Sequence, residues 1–401
     1  MYPVASIRTD APSRTRCRRR SRPDTRRVTM VVRRTPFALP YPARVPELAA
    51  VIVGRACSPR DPDRFVEAAG HHNVRGIVLS AALAGRVELD PHAQRTLEDG
   101  YLRQVARTGL LRRELAQTLS TVETACGVAP VVVKGPAVGE RFYPLWQERP
   151  YGDLDLIVPV ERLADTVAGL QEAGFGIVEE FRPGYAERFG HDVHVSRQTG
   201  AMPVDVELHW RIGDDRVGIG LGHAHLLRSA EQIEIGAARA LVPSLADQLL
   251  LLSVHLLGDR ARRLVWVNDI RLVARAADDD QWGGAFETAR ELGGGLLWVL
   301  HRALDYVSHH LELDRPRPLP AGSPPPFGPL RAVEELDLQA APHVGRLVAL
   351  RGTERLTYLR AVAVPTRAGL EGTVGGDGAG LPTLVLRHVR GAIRGVRRPP
   401  R

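Results

Sequence analysis

Apolar positions recur at helical spacing from about Pro46 to Ser120. Val66, Ala69, Val74, Ile77 and Leu79 to Leu83 form the clusters, with Ser58-Pro59 and Asp90-Pro91 as breaks and caps. Tyr101 to Cys126 reads as one long amphipathic helix carrying Leu102, Val105, Leu110, Leu111, Leu115, Leu119 and Val122. The period then changes. Ala129 to Val133 is a short β-branched run, and Leu154 to Val158 is a second buried-strand signal. Glu161 to Ala173 returns to the helical period and stops at Gly174. Ile177 to Phe181 and His191 to Ser196 read as strands, and Val204 to Trp210 alternates most cleanly of all. Residues 128–212 therefore form a mixed α/β unit.

Past Pro243-Ser244 the helical period resumes, with Ser244 as the N-cap of the run Leu245 to Leu257. Further helices are expected near 264–276, 281–292, 296–312 and 330–364. Residues 315–329 are rich in proline and read as a linker or surface loop, and Gly369 to Gly380 as a flexible loop. Thr383 to Arg398 closes as a basic amphipathic helix. The whole predicts an α+β fold, a small mixed β-sheet core inserted between N-terminal and C-terminal helical sections. The expected parts are an Arg-rich tail at 1–34, helices at 45–126, the α/β core at 127–240, and a helical domain at 243–314. The Pro-rich linker at 315–329 and C-terminal helices with a basic end at 330–401 complete it.

Charge changes the picture in one respect. The 401 residues carry 54 Lys+Arg against 46 Asp+Glu, a net charge of +8. Residues 1–34 hold eleven arginines and two aspartates, and residues 387–401 hold six arginines and no acid. The rest has 37 basic against 44 acidic groups, a net of −7. An acidic body argues against a nucleic-acid-binding surface, where basic groups cluster on one face. Any contact with nucleic acid or an anionic surface is left to the basic ends. The tail at 1–34 is expected to be disordered, or to precede a true start at Met30. At 44% apolar and 25% charged, with no apolar run long enough to span a bilayer, the body reads as a soluble cytoplasmic globule. Cys17, Cys57 and Cys126 are too far apart for a disulfide framework or a zinc site.

Lys134 is the single lysine, against 53 arginines. It follows the strand Pro130 to Val133 and begins the turn Lys134-Gly135-Pro136-Ala137, ahead of a helical stretch. Gly135 lets a phosphate approach the backbone, and a helix N-terminus offers free N–H donors. In Tyr151-Gly-Asp-Leu-Asp-Leu-Ile-Val158, alternation puts Leu154 and Leu156 on one face and Asp153 and Asp155 on the other. Two carboxylates so close repel unless a cation lies between them, and hard oxygen ligands suit Mg²⁺. In Val204-Asp-Val-Glu-Leu-His-Trp210 the polar face holds Asp205, Glu207 and His209. Should this strand lie beside the first, a third carboxylate joins the pair, and three carboxylates can hold two divalent ions for in-line phosphoryl or nucleotidyl transfer.

This ordered set resembles the nucleotidyltransferase superfamily with a DNA polymerase β-like core, and within it the bacterial uncharacterised nucleotidyltransferase family. The resemblance rests on Lys134-Gly135, Arg149, Asp153-Leu-Asp155-Leu-Ile-Val158 and Glu207-Leu-His-Trp210, over roughly residues 45–365. Ala68 to Val74 and the pattern Leu-Leu-Leu-Ser-Val-His255 … Val265-Trp-Val-Asn-Asp269-Ile flank it. The resemblance implies that Asp153 and Asp155 bind Mg²⁺ or Mn²⁺, with Glu207 as third carboxylate and Asp205 as its alternative. It implies that Gly135 contacts the triphosphate of an NTP, expected to be ATP, and that Lys134 and Arg149 neutralise phosphate charge. His209 and His194 would support the ligands. The implied reaction moves an NMP to a hydroxyl of a small molecule or protein. Gly135-Pro136 departs from the Gly-Gly or Gly-Ser of the wider superfamily, and it motivates the alternative of a catalytically degenerate nucleotide-binding or partner-binding protein.

Overall fold

The protein is described from a computed structural model, over residues 45–178, 189–212, 220–293, 295–313 and 341–363, with 322, 323, 328, 331 and 332. The tail at 1–34, the segment 383–398 expected to form a basic helix and most of the proline-rich stretch lie outside the described residues. Four helices come first: α1 (Val45–Ile52), α2 (Pro62–His71), α3 (Arg75–Leu83) and α4 (Pro91–Cys126). Asp90 caps α4 by accepting from the His92 and Ala93 amides at 2.8 and 3.0 Å, and Gly127 ends it in the left-handed region at φ 76°. The helix starts ten residues before the expected Tyr101. Gly100 lies within it, where the Arg75 side chain occupies the space a Cβ would fill.

The strands are β1 (Val131–Val132), β2 (Leu154–Ile157), β3 (Gly176–Ile177), β4 (Asp192–Thr199), β5 (Met202–His209), β6 (Glu231–Ile235) and β7 (Ala238–Val242). They form one mixed sheet in the order β3-β4-β5-β2-β1-β7-β6. Helices α5 (Gly135–Phe142), α6 (Leu163–Glu172) and α7 (His223–Ser229) interleave with them. The hairpin of β6 and β7 was not expected from sequence. Glu231-Gln-Ile-Glu-Ile and Ala238-Arg-Ala-Leu-Val are weak in strand formers, and pairing of β7 with β1 supplies what propensity does not. The fold is α+β, as the change of period predicts.

Leu154, Leu156, Val204, Val206 and Leu208 join Leu111, Leu115 and Val122 of α4 and Leu170 of α6 in one apolar cluster. That cluster covers one face of the sheet. The opposite face carries Asp155, Ile157, Glu207 and His209, and Ile157 belongs to a second cluster with the later helices. These are α8 (Leu245–Gly258), α9 (Leu264–Ala276), α10 (Asp279–Leu292) and α11 (Leu296–His310), followed by α12 (Ala341–Ala349) and α13 (Thr353–Ala363). Ser244 caps α8 by accepting from the Asp247 amide. Helix α8 is apolar around most of its circumference, which is why α9, α10 and α11 all pack on it. Among the described residues no helix is long and apolar enough to cross a membrane.

Candidate functional site

Strands β2 and β5 are parallel neighbours, and the register sets Asp155 opposite Glu207 and Ile157 opposite His209. The third carboxylate thus comes beside the first strand through backbone pairing alone. Asp153 lies one residue before β2 and faces the same cleft. That cleft has a volume of about 620 Å³ and is also lined by Lys134, Gly135, His191, His255, Asp259 and Trp266.

Lys134 reaches into the acidic cluster from the turn after β1. Its Nζ is 2.6 Å from Asp155 Oδ1 and 3.7 Å from Glu207 Oε2. Its backbone has φ 53° and ψ −126°, a conformation that glycine adopts at little cost and that strains any other residue. A lysine held there at that cost is held for its side chain. His209 is buried, with Nε2 2.9 Å from Asp155 Oδ1 and 3.2 Å from Glu207 Oε2. Burial and Lys134 both push the His209 imidazole down, but Asp155 and Glu207 outweigh them and raise it to about 9. Burial also works against the charge on Lys134, and Asp155 and Glu207 again reverse the sign and hold it above the ordinary lysine value. Asp155 itself is held well below the usual carboxylate range by Lys134 and His209, against the effect of burial. At Asp153 burial, Asp155 and Glu207 outweigh the charges of Lys134 and His209 and push the carboxyl up to about 7.

These shifts give the metal-free protein a pH signature. A folded-state pKa raised from 3.8 to about 7 at Asp153 means that stability falls as pH rises through that interval. His209, raised from 6.5 to about 9, extends the fall to more alkaline pH. Thermal unfolding in EDTA is expected to show a midpoint that declines between about pH 4 and pH 9, and the decline above pH 7 should vanish in His209→Gln.

Gly135 opens α5 where the turn meets the strand before Asp153. A Cβ on it would lie 2.5 Å from Tyr151 Cβ, too close for any side chain to relieve. Gly135→Ala is expected to displace Tyr151 and, through it, Asp153, and to lower nucleotide turnover by about 10²-fold. Circular dichroism should show the fold retained.

The other expected residues are placed differently. Asp205 accepts from Arg107 of α4 and lies 3.5 Å from His194 Nε2. Arg107 also donates to the Pro203 and Gly152 carbonyls. Asp205 is therefore neutralised within the protein, and Glu207 is the carboxylate that faces Asp155. Arg149 reaches the cleft wall, but its guanidinium is committed inward. Its Nε and Nη2 each donate at 2.7 Å to Asp269 of α9, and Nη1 donates to the Pro150 carbonyl. Tyr143 donates to the same carboxylate at 2.8 Å, and Asn268 donates to Tyr143 at 3.1 Å. Sequence reasoning did not assign this network. Its signal was present in the pair Asn268-Asp269 inside an apolar helix, because a buried polar pair requires partners.

The donor set fits a divalent cation. Asp155, Glu207 and His209 offer ligand atoms within 4.8 Å of one another, and Asp153 adds a carboxylate whose charge burial and its acidic neighbours disfavour until a cation binds. Carboxylates brought from two adjacent strands to a strand-turn-helix corner are an arrangement suited to metal-assisted phosphoryl or nucleotidyl transfer. The chain belongs to the uncharacterised nucleotidyltransferase family, whose profile matches residues 58–312. No curated protein matches the sequence.

Proposed function

We propose that the protein transfers an NMP from an NTP, ATP by expectation, to an acceptor hydroxyl, on a DNA polymerase β-like core. The register that sets Asp155 opposite Glu207, with Lys134 across both, carries this reading. Asp153, Asp155 and Glu207 would hold Mg²⁺ or Mn²⁺. When bound, the metal orients the triphosphate, offsets its charge and lowers the pKa of the acceptor hydroxyl.

The remaining work falls to the chain. Lys134 already carries its charge into the cluster, and its long stem lets the ammonium leave Asp155 for the β- or γ-phosphate. Gly135 gives the triphosphate a backbone to lie against. His209 holds Asp155 and Glu207 in place with a proton they share. Arg149, locked to Asp269, fixes the segment Arg149-Pro150-Tyr151-Gly152 that delivers Asp153.

The reading is tested by incubating the full chain with α-labelled NTPs, Mg²⁺ and a lysate of the source cell. Label should move to a discrete acceptor with one pyrophosphate released per transfer. Mg²⁺-dependent NTP binding without any transfer would favour the degenerate nucleotide-binding protein that Pro136, lacking an amide donor in the first turn of α5, suggests.

A further inference from the structure

Across the cleft from the carboxylates, α8 ends in a second chemical group that the proposed metal site does not use. His255 and Asp259 are four residues apart on one helix face, and His255 Nδ1 lies 2.7 Å from Asp259 Oδ2. His255 is mostly buried and Asp259 about half exposed, so the pair opens onto the cleft rather than onto the core. The Trp266 ring meets the imidazole edge-on at a centroid distance of 4.8 Å and fixes its plane. Asp259 is followed by two residues in the left-handed region, Arg260 at φ 57° and Ala261 at φ 50°. This strained turn ends α8 at the dyad. Burial raises the Asp259 carboxyl, but His255, Lys134 and His191 together hold it below its usual value. Two of those three belong to the opposite wall, so the dyad and the acidic cluster sense each other across one space.

A hydrogen bond from Nδ1–H to a carboxylate sets the tautomer of a histidine, leaves Nε2 as the basic atom and stabilises the imidazolium that forms. From this geometry we infer that His255 is the base that deprotonates the acceptor, that Asp259 is its positioning residue, and that the acceptor is a neutral or cationic alcohol. Nε2 takes the proton as the acceptor oxygen bonds to the α-phosphorus. The bond from that phosphorus to the bridging oxygen breaks, pyrophosphate leaves, and the imidazolium returns its proton to water. A phosphate acceptor is already ionised at neutral pH and has no need of the dyad. The lining charges agree. Asp192 and Asp259 add carboxylates to the lining beyond the metal-site cluster, which disfavours an anionic acceptor on that side of the cleft.

The inference rests on the nucleotidyl-transfer reading, and the experiment separates the two. Wild type, His255→Ala and Asp259→Asn are given α-labelled ATP and Mg²⁺, with glycerol, choline and an oligoadenylate 3′-hydroxyl as acceptor probes. Pyrophosphate release is measured beside ATP affinity by calorimetry and thermal midpoint. His255→Ala should keep its ATP affinity and lose about 10²-fold in pyrophosphate release at saturating ATP, and added imidazole should restore part of the rate. Asp259→Asn should lose about tenfold with unchanged affinity. Glycerol or choline should be labelled in preference to the oligonucleotide. His255→Ala releasing pyrophosphate at the wild-type rate would overturn the assignment, and so would an Asp259→Asn variant that lowers only the thermal midpoint. Preferential labelling of the oligonucleotide would overturn the acceptor class. If wild type itself released no pyrophosphate, the nucleotidyl-transfer reading would fail instead.

Discussion

Asp155→Asn is expected to abolish nucleotidyl transfer while the fold survives. Asp155 makes the closest contacts in the cluster, 2.6 Å to Lys134 and 2.9 Å to His209, and both of those groups also reach Glu207. Its replacement removes a hard anionic ligand at the point where two strands converge, and an amide oxygen binds a divalent cation far less strongly. Turnover should fall by at least about 10³-fold, some 4 kcal/mol of transition-state stabilisation. The structural effect should be smaller. The variant leaves Lys134 and His209 without their main acceptor, but it also relieves repulsion among Asp153, Asp155 and Glu207. His209 can further lower the cost by losing its proton. A stability loss of about 1–3 kcal/mol is expected, the range of a hydrogen bond to a charged group. Comparing denaturant midpoints with pyrophosphate release separates the two effects. A variant that unfolds outright would show that the cluster is structural first, and one that retains turnover would refute the metal assignment.

The second large effect is expected at Asp269, which does not itself line the cleft. Asp269 is fully buried and faces the almost fully buried Arg149. Burial works against the Arg149 charge, and Asp269 outweighs it. Asp269→Ala leaves that guanidinium without its carboxylate inside the protein, together with the Tyr143 hydroxyl that donated to it. The unfolding free energy should fall by about 3–5 kcal/mol, the cost of breaking one side of a buried pair. Replacing both partners, as Arg149→Met with Asp269→Leu, should recover most of that loss, because no charge is then left stranded. It should not recover activity. The network ties α9 to the segment that ends in Asp153, and a free segment no longer delivers that carboxylate to Asp155. Urea midpoints of the single and double variants provide the check. A single variant within about 1 kcal/mol of wild type would contradict the pairing.

Much of the site was legible in the sequence, and the reason is alternation. Asp153 and Asp155, and Glu207 and His209, are each two residues apart, so the strand period alone put each pair on one face. The turn at Lys134-Gly135 was visible because a lysine stood alone among arginines. What alternation does not show is register. Alternation puts Asp205, the alternative third carboxylate, on the same face as Glu207, and only the pairing of β2 with β5 sets Glu207 against Asp155 and leaves Asp205 to Arg107. The resemblance implies that Arg149 neutralises phosphate charge, and its carboxylate partner Asp269, 120 residues away, is not visible in local spacing. The β6–β7 hairpin escaped for a related reason, since its strands gain their order from β1 rather than from their own side chains. His255 and Asp259 have visible helical spacing, but only the fold turns that spacing toward the carboxylates. The basic ends and the acidic body differ in sign, and the carboxylates of the cleft belong to the acidic body.

The central claim is that these carboxylates direct attack at the α-phosphorus of a nucleoside triphosphate. Phosphorus NMR of the full chain with ATP, Mg²⁺ and a hydroxyl acceptor tests it most directly, since it identifies the leaving group as it forms. The account predicts pyrophosphate in equal amount to a new AMP diester, with both signals absent in EDTA and in Asp155→Asn. ADP with orthophosphate or a phosphorylated acceptor would place the attack at the γ-phosphorus and contradict it.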